Sequence, residues 1–129
     1  MTPLPVRIPS IVLFLFSLLA FFGSLFMWGE GFLFSFPSGV DYRFPVTDIF
    51  VNAPTSILAA IGLWGMKRWG YAVSPFVAGF YVYASVEIFV DVIQSGSPYP
   101  AEIVIPQVMA VAVAVILVLY LWRIRDLFR

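Results

Sequence analysis

The sequence predicts an all-α integral membrane protein, an antiparallel bundle of four transmembrane helices. Both termini are expected to be cytoplasmic, with a small β-hairpin in the first outer loop. Three observations carry this. The 129 residues are 62% hydrophobic and 11% charged, with a mean hydropathy of +1.01, whereas soluble domains are about 45–50% apolar and about 25% charged. Four apolar segments are each long enough, as helices of about 20 residues, to cross a hydrocarbon core of about 30 Å. The basic residues are unevenly divided between the ends of those segments, which is what orients helices in a membrane. The length allows one domain, 1–129.

The first segment covers about 8–28, IPSIVLFLFSLLAFFGSLFMW. Arg7 ahead of an apolar run has the look of a signal peptide. The run is too long for one, and no small-x-small cleavage pattern follows, so a retained helix is expected. The second covers about 48–66, DIFVNAPTSILAAIGLWGM, with Thr47 or Asp48 placed to cap it. The third covers about 70–93 and the fourth about 101–122, AEIVIPQVMAVAVAVILVLYLW. Pro9, Pro54, Pro75 and Pro106 each fall in a first or second turn, where a missing N–H costs little. Pro54 and Pro106 are deep enough to bend the backbone. Small residues mark places of close helix approach: Ala110, Ala112 and Ala114, Gly62 with Ala59, and Gly79 with Ala78 and Ala84.

The connections differ in length. Only KRW or so separates the second and third helices, which forces an antiparallel hairpin, and SGSPYP joins the third to the fourth. The outer loop, 29–47, holds FLFSF and VDYRF around PSG. Two alternating runs about a Gly-containing turn predict a β-hairpin, with Phe32, Phe34 and Phe36 on one face. Of the 7 Lys and Arg, only Arg43 falls on the outer side of this arrangement. Arg7, Lys67, Arg68, Arg123, Arg125 and Arg129 fall on the other, as topology and headgroup anchors. Trp64, Trp69 and Trp122 then sit at the inner interface, and Trp28 and Tyr99 at the outer one.

Composition also bounds the chemistry. The chain has no Cys and no His. That excludes disulfides, thiol redox chemistry, Cys/His zinc sites, haem held by either residue, and Ser-His-Asp or Cys-His catalysis. Net charge is zero, so no basic surface suggests nucleic acid. The expected partners are the lipid bilayer and other membrane subunits or a second copy of the chain.

The candidate site begins with acids inside the third helix. Tyr83, Glu87, Asp91 and Gln94 are spaced i, i+4, i+8, i+11 and share one helical face. Glu87 falls about 24 Å along the helix from Tyr71, in the outer third of the core, and Asp91 at its outer boundary. A charged carboxylate there must face protein or a wet cavity. Asn52 and Ser56 on the second helix, and Gln107 and Glu102 on the fourth, lie at matching depth. With Ser24 and Asp48 they are expected to converge on one outward-opening polar pocket. The sites proposed for a ligand or ion are therefore Glu87, Asp91, Asn52, Ser56, Tyr83 and Gln107. The plainer role for each is a hydrogen bond that fixes helix packing. Tyr81 and Tyr83 read as packing residues with satisfied hydroxyls, and Glu30, Asp41, Glu102 and Asp126 as solvated charges. Glu87 and Asp91 are oxygen ligands suited to hard cations, but an isolated E-x-x-x-D is too common a pattern to imply a metal, and no metal or cofactor is expected.

Three functions fit. The first is a structural or accessory subunit of a membrane complex, docking through the Phe-rich first helix. The second is a small proton- or cation-coupled carrier or channel using Glu87. The third is a membrane-embedded enzyme acting on an apolar substrate by carboxylate catalysis.

Overall fold

The structure, a computed structural model, describes residues 1–29, 46–96 and 101–129. Among them every regular element is a helix and no strand occurs. The expected hairpin, residues 32–44, lies outside the described residues.

Helix α1 spans Leu4–Gly29, four residues earlier at its start than the hydropathy suggests. Pro5 explains the early start. It sits in the first turn, where no intrahelical donor is needed, and the Pro3 carbonyl already receives the Val6 and Arg7 N–H groups at 3.0 and 3.2 Å.

Helix α2 spans Asp48–Trp64. It opens with a five-residue π-helical turn, Asp48–Asn52, and continues as a 12-residue α-helix, Ala53–Trp64. The turn closes with the Ala53 N–H on the Asp48 carbonyl, five residues back. Pro54, next in line, has no N–H to restore the ordinary register, and a wide turn ahead of it is how the backbone absorbs that loss. The expected bend at Pro54 thus takes the form of a π turn. The expected cap does not form. Thr47 is already helical, at φ −64° and ψ −39°, and makes no capping bond through its side chain.

The turn into α3 is a Schellman motif. The Met66 N–H reaches the Leu63 carbonyl at 2.9 Å and the Lys67 N–H reaches Gly62 at 2.8 Å. Met66, at φ 53°, holds the left-handed position usually given to glycine. Its side chain is half-buried against the core, which offsets a local cost of about 1–2 kcal/mol. Helix α3 spans Arg68–Ser95 and ends on Gly96, at φ 71°, whose N–H caps the Val92 carbonyl. Helix α4 spans Ala101–Arg123, and a 3-10 turn, Arg125–Phe128, folds back so that Phe128 lies 4.9 Å from Tyr71, ring centre to ring centre.

Each helix packs chiefly on the next in sequence: α1 on α2, α2 on α3, and α3 on α4. Phe16 bridges α1 to α3 by stacking on Tyr81 at 5.3 Å. The core is narrow and made of small residues with a few Leu and Val: Leu13, Ala59, Leu63, Val77, Ala114 and Leu117. The closest approach is where α2 meets α3. A Cβ on Gly62 would fall 2.5 Å from the Gly70 Cα, and a Cβ on Gly70 would fall 2.5 Å from the Gly62 Cα. Only glycine fits at either position.

Three helical stretches are long and apolar enough to cross a membrane: Leu4–Phe26, Arg68–Gln94 and Val104–Arg123. Helix α2 is shorter, about 25 Å against a core of about 30 Å. Among the described residues, the basic side chains gather at one end of the molecule. Thr2 bonds the Trp64 carbonyl at 2.7 Å and Arg7 lies over the Trp64 ring, so the start of α1 meets the end of α2. The Tyr71 hydroxyl donates to the Leu121 carbonyl at 3.3 Å, so the start of α3 meets the end of α4. Most outward positions carry large apolar side chains such as Phe14, Phe22, Phe76, Ile93, Ile116 and Leu119, the surface a lipid solvent permits.

Candidate functional site

The π turn determines the site. It places Asp48 and Asn52 on the same side of α2, and the Asn52 Nδ2 donates to the Asp48 Oδ1 at 2.8 Å. This bond fixes which end of the amide points where, because only the nitrogen can donate to a carboxylate. The Asn52 side chain is 7% exposed, and its Oδ1 accepts no hydrogen bond from any described residue. A buried acceptor left without a donor costs about 1–3 kcal/mol. Most such atoms in folded proteins have a partner, and an exception calls for a physical reason.

Asp48 and Asn52 form one wall of a cleft between α2 and α3, with Thr47 beside them. Glu87 and Tyr83 face them from α3. Phe80 and Val51 supply apolar surface. The cleft has a volume of about 50 Å³. Pockets for organic ligands run about 300–1,000 Å³, so this one accommodates an ion or a few waters. Among the described residues its polar lining is Asp48 and Glu87, with the side chains of Thr47, Tyr83 and Asn52. No group of three or more Asp, Glu, His or Cys side chains able to hold a metal occurs among the described residues.

The residues singled out from the sequence do not form one pocket. Glu87, half-buried, and Asn52 share the cleft with Asp48. Tyr83 stands at its rim, 63% exposed. Ser56 lies one turn further along α2 and is directed elsewhere, its hydroxyl 2.6 Å from that of Tyr81 in the core. Gln107 belongs to the α3–α4 contact. The Ser85 hydroxyl donates to the Tyr81 carbonyl at 2.7 Å and lies 3.1 and 3.2 Å from the backbone and side-chain oxygens of Gln107. Gln94 is exposed. Asp91 belongs to α3 and Glu102 to α4, but their side chains lie outside the described set. Gln107 meets α3 at Ser85, and Ser85 is not among the residues lining the cleft.

A serine row in α1 supports the site, and of its members only Ser24 was singled out from the sequence. Ser10, Ser17 and Ser24 are all buried, seven residues apart in sequence. Ser17 donates to the Ala53 carbonyl at 2.9 Å, which anchors the junction of the π turn and the α-helix. Ser10 bonds within its own helix, to the Val6 carbonyl. The detectable signal was the heptad spacing of the only polar side chains in an apolar run, the pattern of a packing seam.

Comparison with known proteins adds no guide to function: no family model, curated protein or solved structure matches this chain.

Proposed function

We propose that the chain is a four-pass membrane protein with both termini cytoplasmic, working as a small carrier or channel that takes a proton or small cation at the α2–α3 cleft. Glu87 is the exchanging acid. The observation that supports this best is the cleft itself, where Asp48 and Asn52 of α2 and Glu87 of α3 line one space of about 50 Å³. Two carboxylates brought into one small space are balanced by positive charge, whether a proton or a cation. The size of the cleft favours an ion over an organic substrate. Ionisable groups at membrane depth, next to an interrupted helix, are where ion pathways are built.

The four-pass topology is supported by pairing. Helix α2 packs between α1 and α3 and is joined to α3 by a tight turn. A short helix held between two spanning ones is accommodated by local thinning of the bilayer, at fractions of a kcal/mol per Å. The basic end is then cytoplasmic. Self-association of the chain would complete a pathway beside the cleft.

Flux into proteoliposomes is the test. Wild type should pass protons or alkali cations down a gradient, and Glu87→Gln should not. Equal flux from both, or none from wild type, would remove the proposal.

A second reading, an accessory subunit of a membrane complex, is favoured by the row-like packing. It leaves the Phe-bearing surface of α1, with Phe14, Phe22 and Phe26, open along its length. Gentle extraction with native mass measurement would then show a stoichiometric partner of different mass.

A further inference from the structure

We infer that the corner where α2 ends and α3 begins binds the phosphate of an anionic phospholipid, through the Arg7 guanidinium and the Lys67 ammonium beside Trp64. The corner lies at the other end of α2 from the cleft, and it binds lipid whatever the cleft takes.

Contacts hold both charges at this corner. The Thr2 hydroxyl donates to the Trp64 carbonyl at 2.7 Å, and the Arg7 Nε donates to the Thr2 carbonyl at 2.8 Å. The guanidinium is thereby kept over the Trp64 ring, 5.6 Å from its centre, and Arg7 is half-buried. Lys67 reaches the same place from the turn. Its Cγ and Cε lie 3.6 and 3.8 Å from where a Cβ on Gly65 would stand, so its stem folds back over the residue that follows Trp64. Arg68, exposed beside Lys67, adds to the positive field.

The fold itself does not use these cations. The last four carbonyls of a helix lack partners within it, and a nearby Lys or Arg commonly serves them. In α2 all four are taken by other donors. Ile61 accepts the Gly65 N–H, Gly62 the Lys67 N–H, Leu63 the Met66 N–H, and Trp64 the Thr2 hydroxyl. Among the described residues neither Arg7 nor Lys67 forms an ion pair, and Asp126, near the chain's end, is paired with Arg129. Helix α3 has no acid in its first turn and no side-chain cap, so no carboxylate offsets its positive end.

A phosphodiester fits what is left. With Nε committed to Thr2, the two terminal nitrogens of Arg7 form a fork for two phosphate oxygens, and Lys67 supplies a point charge. The surroundings select a lipid over a free anion. Trp64 is 47% exposed, and an indole at the end of an apolar helix belongs at headgroup level. Leu4 and Ile8 on α1, and Leu58 and Ile61 on α2, are exposed within two turns of the corner and give the acyl chains apolar surface.

The test is thermal unfolding of the purified chain in detergent at matched ionic strength. The additions compared are phosphatidylglycerol, phosphatidylcholine and inorganic phosphate. A ligand that binds only the folded state raises the melting temperature in a saturable way. Phosphatidylglycerol should do so. Phosphatidylcholine, whose choline opposes the two cations, and inorganic phosphate, which has no acyl chains, should not. Replacing both cations, Arg7→Gln with Lys67→Gln, should weaken the apparent phosphatidylglycerol affinity at least about tenfold. Arg123→Gln with Arg125→Gln removes the same charge from the end of α4 and should change that affinity by less than about twofold. If the first pair does not fold, Lys67→Gln alone, at an exposed position, should weaken the affinity at least about threefold, and Arg123→Gln alone should not. Equal losses at the two places would mean diffuse attraction and overturn the inference. So would an equal shift from phosphatidylcholine, an equal shift from inorganic phosphate, or no shift from phosphatidylglycerol.

Discussion

The hydroxyls of Ser56 and Tyr81 lie 2.6 Å apart in the core between α2 and α3, one turn along α2 from Asn52. Ser56 is fully buried and Tyr81 is 3% exposed. Neither side chain lines the cleft, so the pair belongs to the packing beside the site. Either single truncation, Ser56→Ala or Tyr81→Phe, should destabilise the fold by about 0.5–1.5 kcal/mol. The double variant should cost less than the sum of the singles. A double-mutant cycle in detergent unfolding reads the coupling, and additive costs would show that the contact contributes nothing.

Gly62 and Gly70 touch backbone to backbone. Gly62→Ala and Gly70→Ala should each cost about 1–3 kcal/mol, as overpacking does. Gly79→Ala is the internal control. Nothing lies within 4 Å of a Cβ there, so stability should hold or rise by up to about 1 kcal/mol from helix propensity. Unfolding midpoints of the three variants check the contrast.

Pro54 maintains the π turn by withholding a backbone donor. Pro54→Ala should let α2 run as continuous α-helix, rotating Asp48 and Asn52 away from α3 by about 100°, one residue of helix. Thermal stability should be unchanged or higher, while the flux that depends on Glu87 disappears. Persistence of that flux would separate the ion effect from the turn.

The chain has no Cys, which makes single cysteines clean reporters of sidedness. Val46 and Lys67 are exposed residues flanking the two ends of α2. In oriented vesicles, a membrane-impermeant thiol reagent should label Val46→Cys from outside only and Lys67→Cys from the cytoplasmic side only. Labelling of both from one side would mean that α2 does not cross.

Much of the fold was legible because the bilayer imposes so simple a rule. Long apolar runs had to be helices, and α1, α3 and α4 follow the expected segments with ends shifted by a few residues. Lys67 and Arg68 follow the end of α2 because a short link forces a hairpin. What the pattern could not show was phase. Helical spacing placed Tyr83, Glu87, Asp91 and Gln94 on one face, but Gln107 meets α3 through Ser85, two residues from Glu87 and so on another face. Likewise a four-residue step puts Ser56 above Asn52 only in a regular helix, and the π turn shifts the phase between them. The sequence could place Pro54 near a bend but not set its register. Met66 in a left-handed position was invisible too, since Gly65 beside it is the residue that pattern favours. Asn52 was a candidate by depth alone. Its importance came from Asp48, expected as a cap and found instead as its hydrogen-bond partner.

The most direct test of the cleft is infrared difference spectroscopy on the chain reconstituted in lipid, recorded while the bathing solution is switched between choline and sodium and then between high and low pH. Positive charge entering among Asp48, Asn52 and Glu87 should produce carboxylate and amide-carbonyl difference bands in wild type. The carboxylate bands assigned to Glu87 should vanish in Glu87→Gln, and the amide band in Asn52→Ala. A wild-type spectrum identical to that of Glu87→Gln under both exchanges would contradict an ion or proton site at this cleft.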